Sequence, residues 1–493
     1  MRILNADRLT SVGNRRGRQA LVQILEAGLQ AGDPSHNVHA LMQIDNRPTG
    51  PALVVGHPEF EPHGTPHPGP RAYNLDEIGR IYVVGAGKGI QYVARPLEEL
   101  LGDRLTGGHV IAKHGDPIIL ERIGVTLGGH PVPDKGCVRG CQAIVELIRD
   151  LRPEDLVITL AANGVSSLLT LPVPGVSLED VARTTYLLQI ERGAPTHDLN
   201  PIRNHLDQLK GGRLSRLLQP AQAIHIIARD PNVQPSVSLR GYRQLMEQNF
   251  WLHNLPDCTT FAQARDMLRK WDAWDAVPAS VRAHLERADP AQETVKAAEF
   301  QQMDTRVYGV LSRARQVVPG AMAKARELGL SVHRMTRWLH AEAAPTGRVL
   351  ACIAKTVAAE GSPFEPPCAL FTSGELLVTV GQGTGVGGRN QEYALSAAFE
   401  LAGASQIVMG GVDTDGTDGP GGDFGVDGVN CLAGGIVDGQ TVAQAQAAGV
   451  DIWAAVKEHN TSFALWKLDS GILATPNIAL GDLGVTLILG RSE

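Results

Sequence analysis

No basic run in this 493-residue chain is long enough to follow a nucleic-acid backbone. Its 45 Lys and Arg are outnumbered by 52 Asp and Glu, for a net charge of -7, so nucleic acid is not an expected partner. Long apolar runs are also absent, with none near the roughly 20 residues that a membrane-spanning helix needs. The opening Met1-Arg-Ile-Leu-Asn-Ala-Asp-Arg8 has no apolar leader core, and a soluble, cytoplasmic protein with no membrane partner is expected. The six cysteines lack metal spacing: three residues separate Cys137 from Cys141, and Cys258, Cys352, Cys368 and Cys431 stand alone. They read as free thiols in a reducing compartment. His57, His63 and His67 sit among Pro and Gly with no acidic or thiol partners in pattern, which marks 48–70 as a surface loop. Aromatics are scarce at 4%, against 43% hydrophobic residues and 55 glycines, a balance that suits an α/β protein of small aliphatic strands and Ala/Leu helices.

The length predicts two or three domains. Apolar periodicity predicts an opening helix over 10–32. Strands are expected at 81–84, 109–113, 125–127, 156–160 and 223–228, with helices such as 141–151 and 178–190 between them. That alternation implies parallel βαβ units. The expected fold is therefore α/β, with an N-terminal Rossmann-like domain over 1–362 whose segment 240–345 is mainly helical. There Trp251, Trp271, Trp274 and Trp338 read as packing anchors. The Pro-rich break Pro363-Phe-Glu-Pro-Pro367 places a boundary before a smaller C-terminal α/β domain over 363–493.

Three loops carry the chemistry. Gly385-Val-Gly-Gly-Arg389-Asn390-Gln391-Glu392 joins an alternating, strand-like 376–380 to a helix-like 393–401, and a glycine loop at a helix start can hold an anion that an arginine grips. Gly85-Ala-Gly87-Lys88-Gly89 repeats the pattern upstream. It lacks the Gly-Lys-Ser/Thr of a Walker loop and the third glycine of the dinucleotide fingerprint. By itself it is equally a tight strand-to-helix turn with a solvated lysine. The third loop, Asp413-Thr-Asp415-Gly-Thr-Asp418-Gly-Pro420, sets three carboxylates after the strand-like 407–409. It suits Mg²⁺ with nucleotide phosphates, or else a turn whose side chains satisfy its own backbone.

Five stretches together resemble one family, the type II glycerate 2-kinases with their C-terminal MOFRL domain. They are Gly85-Ala-Gly-Lys-Gly89, Gly129-His130-Pro-Val-Pro-Asp134, Asn200-Pro-Ile-Arg203-Asn-His205 running on through Lys210-Gly-Gly-Arg213, Gly387-Gly388-Arg389-Asn-Gln-Glu392, and Asp413 to Pro420. The resemblance implies ATP-dependent, Mg²⁺-requiring phosphorylation of the 2-hydroxyl of D-glycerate or a related small hydroxy acid, in a cleft between two domains. It places catalytic roles on Lys88 and Arg389. His205, Lys210 and Arg213 are expected to bind substrate. Gly85, Gly87, Asn163, Gly164, Ser166, Gly388, Asn390 and Glu392 are expected to bind nucleotide, and Asp230, Asp415 and Asp418 to bind metal. His130, His205, Asp230 and Asp415 are all eligible general bases, and a homodimer is possible.

Three loops depart from the family pattern. Ala161-Ala-Asn163-Gly164-Val165-Ser166 stands where members usually have Ser-Gly-Gly-Gly-Ser. Arg229-Asp230-Pro-Asn232 replaces a Ser-Asp-x-x-Gly-Asp segment, and Leu473-Ala-Thr475-Pro-Asn477-Ile478 replaces Gly-Pro-Thr-Gly-Thr-Asn. They point to a divergent member with altered specificity. The alternatives are a catalytically silent homologue that binds metabolite or nucleotide, and a hydroxypyruvate reductase, against which the missing dinucleotide fingerprint argues.

Overall fold

The computed structural model describes residues 1–48, 50–228, 241–311, 316–381, 383–424 and 428–490. The chain divides into two compact units, Pro34–Ser312 and a second that combines Met1–Asp33 with Arg313–Glu493.

In Pro34–Ser312 a small antiparallel sheet of β1 (Met42–Arg47), β2 (Gly50–Val55) and β3 (Arg71–Asn74) precedes the main one. The main sheet contains β4 (Ile81–Ala86), β5 (Gly107–Lys113), β6 (Gly124–Gly128), β7 (Leu156–Ala162), β8 (Gln222–Ala228) and β9 (Thr305–Gly309). It is parallel throughout, in the order β6-β5-β4-β7-β8-β9. Every residue of β4 and β7 is buried, as expected for central strands covered on both faces. Val84, Ile111, Ile144 and Leu168 pack in one cluster, and Ile227, Leu255, Phe300 and Val307 in another. The chain winds outward from β4 through β5 and β6, then restarts on the other side of β4 with β7. Such a reversal opens a ligand crevice beyond the strands' carboxyl ends.

The expected helical segment is only partly helical. Phe261–Lys270 and Ala279–Arg287 are helices, but 297–325 breaks into Ala297–Phe300, strand β9 and Val317–Glu327. Thr305-Arg-Val-Tyr-Gly309 pairs along β8 from Ala223 to Ile227 and buries Val307 and Tyr308. This edge pairing overrides helix propensity.

The second unit is built on β10 (Ser331–Leu339), β11 (Cys368–Gly374), β12 (Ile407–Asp413), β13 (Gly434–Asp438), β14 (Gly471–Ile472) and β15 (Asp482–Ile488). Their order is β10-β11-β15-β12-β13-β14, with only β10 and β11 parallel. The compact units therefore do not divide at 362/363. Residues 363–367 lie inside this unit, because β10 on one side of the break pairs with β11 on the other. The opening helix, Arg15–Ala31, belongs here too: Arg18 is 0% exposed and ion-paired to Asp438, also 0% exposed. The strand expected at 376–380 does not form. Gly374 pairs with Leu339 on one side and Asp482 on the other, each the end of its strand, so the chain beyond has no partner strand. Trp271 and Trp274 pack against the Phe261–Leu285 cluster and Trp251 against that of Leu255, but Trp338 is 53% exposed on β10.

Removing one partner of a buried ion pair strands the other charge. Arg18→Ala is expected to lower stability by about 3–5 kcal/mol, read by chemical denaturation. His225 on β8 is fully buried against Thr159 Oγ1 at 2.7 Å, and burial pushes its pKa down to about 3. The folded state keeps it neutral, whereas the unfolded chain takes up a proton near the ordinary value of about 6.5. Its contribution is thus complete above pH 6.5 and declines as pH falls from there toward 3. Thermal melts across pH 7 to 4 should show that decline, and His225→Gln should make it shallower.

Candidate active site

The first cluster forms where β4 and β7 end. The Lys88 N–H donates to Asn163 O at 2.7 Å, tying the two strand-end loops together. A Cβ at Gly85 would lie 2.3 Å from Leu160 O, and one at Gly87 would lie 2.6 Å from Ala162 Cβ. Both glycines are required by the approach of the protein to itself. Gly164 has φ +83°, and a Cβ there would meet Lys88 Cγ at 3.0 Å and His130 Cδ2 at 3.1 Å. Lys88, His130 and Gly164 therefore share one small space, supplied by the ends of β4, β6 and β7. Ser166, in the short helix Val165–Leu168 that follows, bonds through Oγ with His253 Nε2 at 2.9 Å.

The charge here is one-sided. His130 keeps part of its ring open to solvent. Burial of the remainder, followed by the charges of Lys88, Lys113 and Arg203, holds its pKa well below the usual range, so it is neutral near pH 7. Among the described residues none of these three cations has a carboxylate within ion-pair distance. Lys88 and Lys113 are half-buried. Arg203 is 7% exposed and bonds through Nη2 to the neutral amide of Gln189 at 2.9 Å. Burial lowers its pKa to about 10. A group of part-buried cations without ion-paired counter-charges among the described residues is a site that attracts anions.

The neighbouring basic cluster does not join it. His205 places Nδ1 on Pro201 O at 2.7 Å and Nε2 on Glu293 Oε1 at 2.9 Å. Lys210, 1% exposed, donates to Asp207 Oδ2 at 2.6 Å and Thr170 Oγ1 at 2.8 Å. Arg213 donates to the carbonyls of Asn204, Asp207 and Gln292. These three residues, expected to bind substrate, instead tie the polypeptide to itself, because their helix and its following turn are buried.

The second cluster surrounds Arg389, the first residue of the helix Arg389–Leu401. Its Nε donates to Asp482 Oδ1 and Oδ2 at 2.8 and 2.9 Å, and its Nη2 to Asp413 Oδ2 at 2.8 Å. Burial opposes its charge, but Asp413 and Asp482 raise its pKa above the ordinary value. Asp482 carries no motif that marks it in the sequence. The β12–β15 register sets it opposite Asp413. The anion expected at this helix start is supplied by the protein: Asp418, 0% exposed, takes the N–H of Asn390 at 3.1 Å and of Gln391 at 2.9 Å. Burial raises the Asp418 pKa to about 7 against those donors.

Several residues expected to bind nucleotide or metal are thereby committed within the protein. A Cβ on Gly388 would lie 2.1 Å from Asp418 O. Asn390 Nδ2 donates to Asp418 Oδ1 at 3.1 Å and Asp482 Oδ1 at 2.7 Å, and Glu392 pairs with His459 Nδ1 at 2.6 Å. Asp418 is a helix cap. Asp415, half-buried, accepts the N–H and Oγ1 of Thr417 at 2.9 and 2.8 Å. Asp230 lies outside the described residues. Among the described residues no group of three or more His, Cys, Asp or Glu is arranged to hold a metal, and no helix is long and apolar enough to cross a membrane.

Lys210→Met tests the reassignment of the basic cluster. It leaves Asp207 as a buried carboxylate without its cation and should cost about 3–5 kcal/mol in denaturation, with little change in small-ligand affinity among molecules that remain folded.

Two family models match the chain: a domain of unknown function (DUF4147) over residues 20–233 and the MOFRL family over residues 368–478. A glycerate 2-kinase of Pyrococcus horikoshii is 34% identical over 400 residues, covering 80% of this chain and 84% of its own. A D-glycerate 2-kinase of Thermotoga maritima is 32% identical over 426 residues, covering 84% and 92%. The crystal structure of a Thermotoga maritima glycerate kinase superposes with a TM-score of 0.71 at 28% identity, covering 96% of this chain and 99% of that one. With identity of this extent along both chains, the protein belongs to the glycerate kinase family, phosphotransferases with an alcohol group as acceptor.

Proposed function

We propose that the protein transfers the terminal phosphoryl group of ATP to the 2-hydroxyl of D-glycerate or a related small hydroxy acid. The observation that carries this reading is the grouping of Lys88, Lys113 and Arg203, none with an ion-paired carboxylate among the described residues, about the neutral His130. The names of the relatives at 34% and 32% identity support the acceptor. Phosphoryl transfer spreads negative charge over the equatorial oxygens of the migrating group, so fixed cations and precise positioning supply most of its catalysis. Lys88 is assigned to the migrating phosphoryl group. Arg389 is assigned a second catalytic role, with Asp413 and Asp482 fixing the orientation of its guanidinium. Asn163, Gly164 and Ser166 form the nucleotide side of the strand-end crevice.

Mg²⁺ binds with nucleotide phosphates through one or two carboxylates and waters, so a group of three protein ligands is not required. Asp413 and Asp482 hold Arg389 and Asp418 caps a helix, which leaves Asp415 as the described carboxylate suited to that ion. When bound, Mg²⁺ neutralises charge on the phosphates. The reading includes a cytoplasmic enzyme whose partners are a nucleotide and a small hydroxy acid.

The test is ADP release from ATP·Mg by purified protein across a panel of 2-hydroxy acids, with phosphorus NMR to locate the new ester. D-Glycerate phosphorylated at C2 is the expected product. Binding of ATP·Mg without phosphorylation of any acid overturns the proposal, as does nicotinamide-dependent reduction of hydroxypyruvate in place of transfer. Lys88→Ala and Arg389→Ala should each lower kcat about 10²- to 10³-fold, as loss of one donor to a transition-state charge does elsewhere, with thermal melts showing a folded protein. Chelation of divalent metal should stop turnover, and added Mg²⁺ should restore it.

A further inference from the structure

Arg203 is one of two buried arginines among the described residues of its unit, the other being Arg213. Arg80 and Arg216 reach carboxylates, and Arg213 is held by three carbonyls. Arg203 is 7% exposed, yet its one protein hydrogen bond among the described residues runs from Nη2 to the uncharged Gln189. Its Nε and Nη1 have no such bond, and neither is among the buried polar atoms sealed from solvent without a partner. Desolvating a guanidinium and leaving most of its donors unpaired is unfavourable unless an anion completes it.

Its surroundings indicate which anion. Arg203 acts electrostatically on both His130 and His253, while Lys88 acts on His130 and, across Gly164, lies beside it. Lys88, on the glycine loop, and Arg203, on the helix Thr196–His205, thus both act on the same imidazole. Lys88 and Lys113 sit at strand ends and are half-buried, which suits a bulky polyphosphate. Arg203 is deeper and single, which suits one small monoanion. A 2-hydroxy acid carries its hydroxyl one carbon from its carboxylate, so a carboxylate at Arg203 places that hydroxyl toward His130 and Lys88.

We propose that Arg203 is the specificity-determining residue for the acceptor, binding its carboxylate and so selecting 2-hydroxy acids over uncharged polyols. This deepens the proposed kinase reading and rests on it for the identity of the acceptor, but its test does not require turnover. Because Arg203 has no carboxylate partner among the described residues, Arg203→Gln strands no described charge and should fold, which thermal melts will check. Calorimetric titrations of the full-length protein with D-glycerate, glycerol and ATP·Mg supply the readout. Wild type should bind D-glycerate and not glycerol. Arg203→Gln should weaken D-glycerate about 10- to 100-fold, the size of a lost charge-assisted hydrogen bond, with ATP·Mg affinity unchanged, and Arg203→Lys should recover part of the loss. If Arg203→Gln weakens ATP·Mg and spares D-glycerate, the residue serves the phosphates and the inference is overturned. Equal binding of D-glycerate and glycerol by wild type also overturns it. Binding that behaves as expected in a protein without ATP-dependent transfer would retire the kinase reading and leave the carboxylate site standing.

Discussion

The pairing of β4 with β7 is the constraint on which the candidate site depends. These strands run so close that Gly85 and Gly87 have no room for a Cβ, and the Lys88 amide hydrogen-bonds directly to Asn163 O. Their adjacency is also where the winding of the sheet reverses, the place at which parallel α/β sheets hold a ligand crevice beyond their strand ends. Lys88, Asn163 and Gly164 reach that crevice because they are the first residues beyond the paired strands. His130 arrives from the end of β6 and Arg203 from a helix between β7 and β8. A parallel sheet gathers residues widely separated in sequence at a single edge.

The two cationic loops that look alike in sequence differ in electrostatics. Around Lys88 the charges are positive and without carboxylate partners among the described residues, and together with burial they keep His130 neutral. Around Arg389 the balance is reversed: Asp413 and Asp482 grip the guanidinium, and Asp418 takes the helix-start amides that a phosphate could have used. The first arrangement is prepared for an anion. The second is a rigid internal network that fixes an arginine in one orientation, a condition for an electrostatic catalyst that must not reorganise during reaction.

The order of strands and helices in the parallel sheet was legible because buried parallel strands are short, continuous apolar runs bounded by glycine and helix signals, as 81–84 and 156–160 are. β9 was missed, since Thr305-Arg-Val-Tyr-Gly309 becomes a strand only through its pairing with β8. The strand read at 376–380 failed for the complementary reason: the alternation was present, but the neighbouring strands end at Leu339 and Asp482. The break at 363–367 resembled a linker, yet strand pairing across it and the buried Arg18–Asp438 pair make one unit of residues from both ends of the chain.

The site shows the same division. The amino-acid sequence by itself determined the α/β class, the glycine-lysine turn at Lys88, the helix start at Arg389 and the resemblance to glycerate kinases, because each is written in local spacing or in motifs of contiguous residues. Which charges are neutralised was decided by tertiary structure alone. Lys210 and Arg203 are both basic residues of one short stretch, but folding sets Asp207 and Thr170 against the first and a neutral glutamine against the second. Asp482 became Arg389's partner only through strand register. A charge is available for chemistry only where packing leaves it without a counter-charge, and that depends on contacts between residues remote along the chain.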